Sequence, residues 1–377
     1  MAKKEYNFYY PILRNKIGEL NALKWIKSDE NIIPVIEIVA SSVTPAERKM
    51  RGKVIVLDRI KSIARAVSGA WSRGGKIYID MLPLDDATLS KYSNHPMEEL
   101  FNYFRGKEYS LNAIPVISLD STKNKRAVIS NICKADKKGA MVRVGITNLA
   151  DISRPGSMIA KELADICSDI GLGEDSIDIM IDLGEVGEIT FNAFGAVMLT
   201  IINAFPKLKD WRSIIISSGA FPGVINSVAY GSQGDFNRYD YLLWQKVLND
   251  NPDRKPAFAD YTCVSLRVIE IKSDFVEVPP NTRYALDSVW RVYRDESNVR
   301  KKNLNSYFNQ CLRLVSDTHT FMGAGYSEGD QDLELKSKYA GVLPLPSGIG
   351  VGNSQIWRRN DINHHIIFTS RQILAVP

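Results

Sequence analysis

The chain has 377 residues, 45% hydrophobic and 24% charged, with a formal net charge of +5. These are values of an ordinary folded protein, and they exclude a disordered, collagen-like or coiled-coil chain. No run reaches the roughly 18 apolar residues of a membrane helix, and the four cysteines are too dispersed for a disulfide framework or zinc ribbon.

Taken in chain order, short runs rich in Val, Ile and Tyr alternate with helical stretches. Tyr6–Leu13 is followed by a helix over Gly18–Ile26, and Ile32–Val39 by helical pieces at Thr44–Met50 and Leu57–Val67. Thr44 is a fitting N-cap, with Pro45 at the first helical position and Glu47 closing a capping box. Lys76–Leu82 precedes a helix over Pro96–Phe104, and Ala113–Leu119 precedes one over Lys123–Ala135. Ala140–Ile146 leads to Gly156–Ile170, and Ile177–Leu183 to a very apolar helix over Ile189–Ala204. Ser213–Ser218 leads to Arg238–Leu248, and Ala257–Cys263 is the eighth run.

Near-continuous apolar runs mark strands buried on both faces, as in a parallel sheet. Eight βα units of this size predict a (β/α)8 TIM-barrel-like domain over residues 1–265. An open doubly wound sheet competes, but the first strand is followed by Arg14-Asn15-Lys16-Ile17-Gly18 rather than a Gly-rich phosphate turn. The pattern changes near Val276–Pro280. Residues 283–294 alternate as a half-buried strand, helices are expected at Leu304–Val315 and Ile362–Ile373, and residues 266–377 read as a smaller C-terminal α+β extension.

A barrel gathers its strand ends at one mouth. Charged residues inside apolar strands are costly unless paired or hydrated, so Glu37, Asp80, Arg143, Asp182 and Asp260 are the informative ones. Three readings fit these carboxylates. They form an internal ion-pair network, they bind a hard cation such as Mg²⁺ or Mn²⁺ for phosphoester hydrolysis, or they work as paired acid and base. Arg14, Lys16, Arg143 and Arg238 are candidates to hold an anion, with Tyr261, Arg294, His364 and His365 as further ligand-binding candidates. Adjacent histidines on a helix point about 100° apart and do not readily share one ion. Basic clusters at Lys123–Arg126, Lys134–Lys138 and Arg300–Lys302 have few interleaved aromatics and read as solvated faces.

Several segments together resemble one known family. They are Tyr9-Tyr10-Pro11-Ile12-Leu13-Arg14 with Glu19 and Ala22-Leu23, Ile33-Pro34-Val35-Ile36-Glu37-Ile38, and Arg238-Tyr239-Asp240-Tyr241. To these are added Phe258-Ala259-Asp260-Tyr261, Trp290-Arg291-Val292-Tyr293-Arg294, and Trp357-Arg358 with Asn363-His364-His365. In order and spacing they resemble the phage-type beta protein family, and Ala259 stands where that pattern leads one to expect Gly. The resemblance implies no reaction. It implies that barrel and extension belong together and that phage–host conflict is the setting. The functional expectation is a cytoplasmic protein that binds a nucleotide or nucleic acid at the mouth, with metal-assisted hydrolysis as its enzymatic form. The alternative is a non-enzymatic protein-binding or sensor subunit.

Overall fold

The computed structural model describes residues 4–27, 31–39, 60–72, 74–82, 95–149, 152, 158–266, 280–294, 306–350 and 352–377. The expected helix at 44–50, the start of the one at 57–67, residues 276–279 and the basic cluster at 300–302 lie outside them. The chain forms two compact units. One comprises Met1–Asn15, Asn31–Gly219 and Tyr239–Asp260; the other comprises Lys16–Glu30, Ala220–Arg238 and Tyr261–Pro377. The second unit thus takes two segments from within residues 1–265, so the units interleave along the chain.

The first unit is a closed parallel barrel. Its strands are β1 (Tyr9–Arg14), β2 (Val35–Glu37), β3 (Lys76–Asp80), β4 (Asn112–Ser118), β5 (Ala140–Gly145), β6 (Ile177–Glu185), β7 (Ser213–Gly219) and β9 (Ala257–Asp260). They close in that order, β9 pairing with both β7 and β1. The fold is α/β of the (β/α)8 TIM-barrel type. Its outer helices bury one stripe each. In Ile60–Ala70, for example, Ile60, Ile63, Ala64 and Val67 are buried at helical spacing while the lysine and arginine face out.

Strand pleating sends alternate side chains into the barrel. Contacts between non-neighbouring strands identify the inward set. At the amino-terminal end, Tyr78 of β3 donates to Asp178 of β6, and the Tyr10 ring lies beside the Tyr78 ring. Asp178 also accepts from Arg212 Nε at 3.0 Å, Arg212 Nη2 at 2.5 Å and Ser213 Oγ at 2.6 Å. The opposite parity packs against helix Tyr239–Asn249, where Tyr9 stacks on Phe258 and Phe258 meets Tyr241 and Trp244.

The second unit holds a three-stranded antiparallel sheet in the order β10 (Asn281–Ala285), β11 (Val289–Arg294), β8 (Gln233–Asn237). Its helices are Ile17–Lys24, Ser306–Ser316, Glu328–Ser337 and Ser354–Leu374. The last passes so close to its neighbours that a Cβ at Gly18 would stand 2.8 Å from the Gln355 carbonyl oxygen, and one at Gly329 2.5 Å from that of Asn360. Strand β8 was not expected from the sequence. Among the described residues no helix is long and apolar enough to cross a membrane.

Removing the Asp178 carboxylate strands Arg212, Tyr78 and Ser213 together. Asp178→Ala is expected to lower unfolding stability by about 3–5 kcal/mol, read from urea denaturation.

Candidate functional site

Four of the residues singled out inside strands meet at the carboxyl end of the barrel. Arg143, on β5, reaches three carboxylates from three other strands. Its Nε donates to Asp182 Oδ2 at 2.9 Å, and its Nη2 lies 2.8 Å from the same oxygen. Its Nη1 donates to Glu37 Oε1 at 3.0 Å and to Asp80 Oδ2 at 2.6 Å. Strands β2 and β5 are not neighbours, so the guanidinium spans the barrel interior.

The remaining carboxylate oxygens are also engaged. Asp80 Oδ1 accepts from the Leu82 amide at 2.7 Å. Asp182 Oδ1 accepts from the Gly184 amide at 3.0 Å and from Ser217 Oγ at 3.1 Å. Gly184 has φ +68, a conformation glycine adopts without strain, and it turns its amide back onto the strand. Arg14 Nε stands 3.8 Å from Glu37 Oε2. Three carboxylates therefore face two guanidiniums. Burial pushes the Glu37 carboxyl above its ordinary value; Arg143 pulls the other way, the nearby Asp80 charge adds to the rise, and Arg14 opposes it.

Beside this network lies a cavity of about 320 Å³ lined by Glu37, Leu82, Ser118, Asp120, Arg143, Gly145, Thr147, Asn148 and Asp182. Asp80 is fully buried beneath it. Asp120 is exposed, and its carboxylate has no ion pair or hydrogen bond among the described residues. Asn148 Oδ1 accepts from the Gly145 amide at 3.1 Å. Asp120 directly follows the fourth apolar run, where a barrel gathers its strand ends, whereas Thr147 and Asn148 carry no sequence signal.

The other candidates stand elsewhere. Asp260 shares the outward parity of Phe258 and accepts from Tyr9 at 2.6 Å, fully buried. Its partner in the ladder is Pro11, whereas Ser217, which reaches Asp182, is level with Ala259. The expected fourth mouth carboxylate is thus a structural acceptor. Lys16 is exposed, at the N-cap of helix Ile17–Lys24.

Within the second unit, Arg238 donates to Leu286 O and Gln372 Oε1, both at 2.9 Å, and to Thr369 Oγ1 at 2.8 Å, between the Trp290 and Phe368 rings. Arg294 donates to the Val228 carbonyl at 2.7 Å and covers Tyr230. His364 sits between Asp330 Oδ2 at 2.9 Å and the Ala285 carbonyl at 3.0 Å, stacked on Tyr284. His365 Nδ1 accepts from Trp290 Nε1 at 3.0 Å. Tyr261 is buried. Arg238, Arg294, His364 and His365 tie the second unit together; no ligand role follows from their contacts.

A metal does not fit the mouth as built. Its carboxylate oxygens already serve Arg143, Arg14, two amides and a hydroxyl, and among the described residues no three His, Cys, Asp or Glu side chains are placed to share an ion.

A family model described as Beta protein matches residues 9–371, nearly the whole chain. No curated protein matches it.

A carboxyl raised on folding favours the native state most below its unfolded value of 4.5, and that contribution is lost as pH rises through the folded value. Glu37→Gln keeps an acceptor for Arg143. It is expected to unfold within about 1 kcal/mol of the parent at pH 4.5 and to lose less stability than the parent as pH rises toward neutrality, read from thermal melts across that window.

Proposed function

The chain belongs to the Beta protein family, and we propose that its barrel mouth recognises a small, positively charged molecule rich in hydrogen-bond donors, acting as a sensor rather than as a metal-dependent hydrolase. The observation that carries this reading is the four-way engagement of Arg143. A guanidinium held by three carboxylates is not available to an anion, because an anion would have to displace two or three charge-assisted bonds. The same bonds leave no set of carboxylate oxygens open to a divalent ion.

What does face the cavity is acidic. Glu37, Asp120 and Asp182 line it against Arg143 alone, and Ser118, Thr147 and Asn148 add neutral polar groups. Mouths of (β/α)8 barrels are the usual place for a ligand, and a cavity near 300 Å³ suits a small molecule. An amine or guanidine would meet Asp120, whose carboxylate is unpaired among the described residues. Among the described residues that line the cavity the cation is Arg143, already held by carboxylates, which favours a cationic ligand over the nucleotide or nucleic acid expected from the sequence.

The setting in phage–host conflict is part of the proposal and rests on family membership. A reducing cytoplasm is consistent with four unpaired cysteines.

A subunit role is the second reading, favoured by one helix. Glu188–Asn203 carries no charge after its first residue, yet only Met198 and Ile202 are buried, while Ile189 is 85% exposed. Outer barrel helices ordinarily show charge to water.

Agmatine, which carries an amine and a guanidine, tests the mouth. It is expected to raise the melting temperature saturably, and Asp120→Asn, a change at an exposed side chain, to weaken binding by about tenfold. Equal stabilisation of parent and variant, or none at all, overturns the reading.

A further inference from the structure

A second concentration of charge lies wholly within the second unit. It is built on Arg283 of β10 and Arg358 of the helix Ser354–Leu374. The two share neighbours. The Arg283 amide donates to Asp361 Oδ1 at 3.1 Å, and Arg358 Nη1 donates to Asp361 Oδ2 at 3.1 Å. Arg283 Nη1 donates to the Cys263 carbonyl at 2.6 Å, while the Arg358 guanidinium stands against the Cys263 thiol.

The rest of the Arg283 head is fixed from two directions. Its Nε donates to Asn281 Oδ1 at 3.0 Å, and its guanidinium plane lies 4.1 Å over the Phe221 ring. That leaves Nη2. It has no acceptor among the described residues, and it is not among the polar atoms sealed from solvent. Arg358 is also part exposed, at 22% of its side chain. An oriented guanidinium edge with unused N–H donors, next to a second guanidinium, is what a bidentate oxyanion requires.

The charge balance points the same way. Asp361 is bonded by the Arg358 guanidinium and the Arg283 backbone amide, and burial pushes its carboxyl up to about 6, against the pull of the Arg358 and Arg283 charges. Burial, and then the Arg358 charge, hold Arg283 below the usual guanidinium range. An anion at Nη2 would relieve that repulsion.

We propose that Arg283 and Arg358 form an oxyanion site that takes the phosphoryl or carboxylate group of a ligand. Arg283 is the pre-oriented half, locked by Phe221, Asn281 and Cys263. Arg358 is the adjustable half, which divides its donors between Asp361 and the ligand. The site is independent of the barrel mouth, which suits a cation.

The experiment is a titration of the full chain with inorganic phosphate and, separately, acetate, by calorimetry at low ionic strength. Sodium chloride at matched ionic strength is the reference. Saturable binding of either anion above the chloride response is expected, and the tighter of the two names the ligand group. Arg358→Gln is expected to weaken it about tenfold or more. Asp361→Asn keeps an acceptor for the Arg283 amide and removes the competing charge, so it is expected to bind the anion several-fold more tightly, a gain that a damaged fold does not produce. Asp120→Asn at the mouth is expected to leave anion binding unchanged. A response equal to that of chloride, or the same affinity in Arg358→Gln and the parent, overturns the proposal.

Discussion

The barrel is organised around charge held largely away from water. Isolated, any one of Glu37, Asp80, Asp182 or Arg143 inside a strand would cost several kcal/mol. Brought to one level by the stagger of parallel strands, they satisfy one another. Arg143 is suited to this because its planar fork donates in several directions at once, so one residue of β5 serves acids on β2, β3 and β6. A lysine would offer a single point of charge. The opposite end of the barrel repeats the device in miniature, with Asp178 accepting from Arg212, Tyr78 and Ser213. Apolar layers lie between two polar plugs, and the polar plug at the carboxyl end is also the floor of the cavity.

Much of this was legible in the sequence because it rests on periodicity and on the rarity of charge inside apolar runs. Eight runs became eight barrel strands, and the four inward charges at the carboxyl end were found from their positions alone. Asp260 shows where that logic stops. A charge at the end of a strand converges on the mouth only if its parity is inward, and parity follows from register. Ala259, level with Ser217, takes the inward place, so Asp260 turns out to Tyr9. One residue of shift would reverse both. The division of the chain was not legible either, because the segments Lys16–Glu30 and Ala220–Arg238 lie between barrel strands in the chain and join the second unit only in the fold. Strand β8, Gln-Gly-Asp-Phe-Asn, lacks the β-branched residues that announce a strand and exists through its pairing with β11.

The conspicuous histidines and arginines of the second unit have a different explanation. Helix Ser354–Leu374 buries Asn360, Asp361, Asn363, His364, His365, Thr369 and Ser370. A helix with that many polar residues inside must find a partner for each, and the loops and strands around it supply them. Asn363 bonds the Ala22 carbonyl and the Gly329 amide, His364 meets Asp330, and Arg238 reaches Thr369. Such residues look functional in a sequence because they are chemically versatile. For Arg238, Arg294, His364 and His365 that versatility serves packing in the fold.

The net charge of +5 therefore says little about what the protein binds. Ligands respond to the local ratio of charges and to which donors remain unspent. At the mouth three carboxylates face the Arg143 and Arg14 guanidiniums, and the surplus is negative. Around Arg283 and Arg358 two guanidiniums stand with the one Asp361 carboxylate, which burial weakens, and the surplus is positive. The two surpluses are opposite in sign and lie in different units. A chain of this kind can distinguish a cationic from an anionic group without using its overall charge at all, and the discrimination follows from hydrogen-bond inventories that only the folded arrangement makes available.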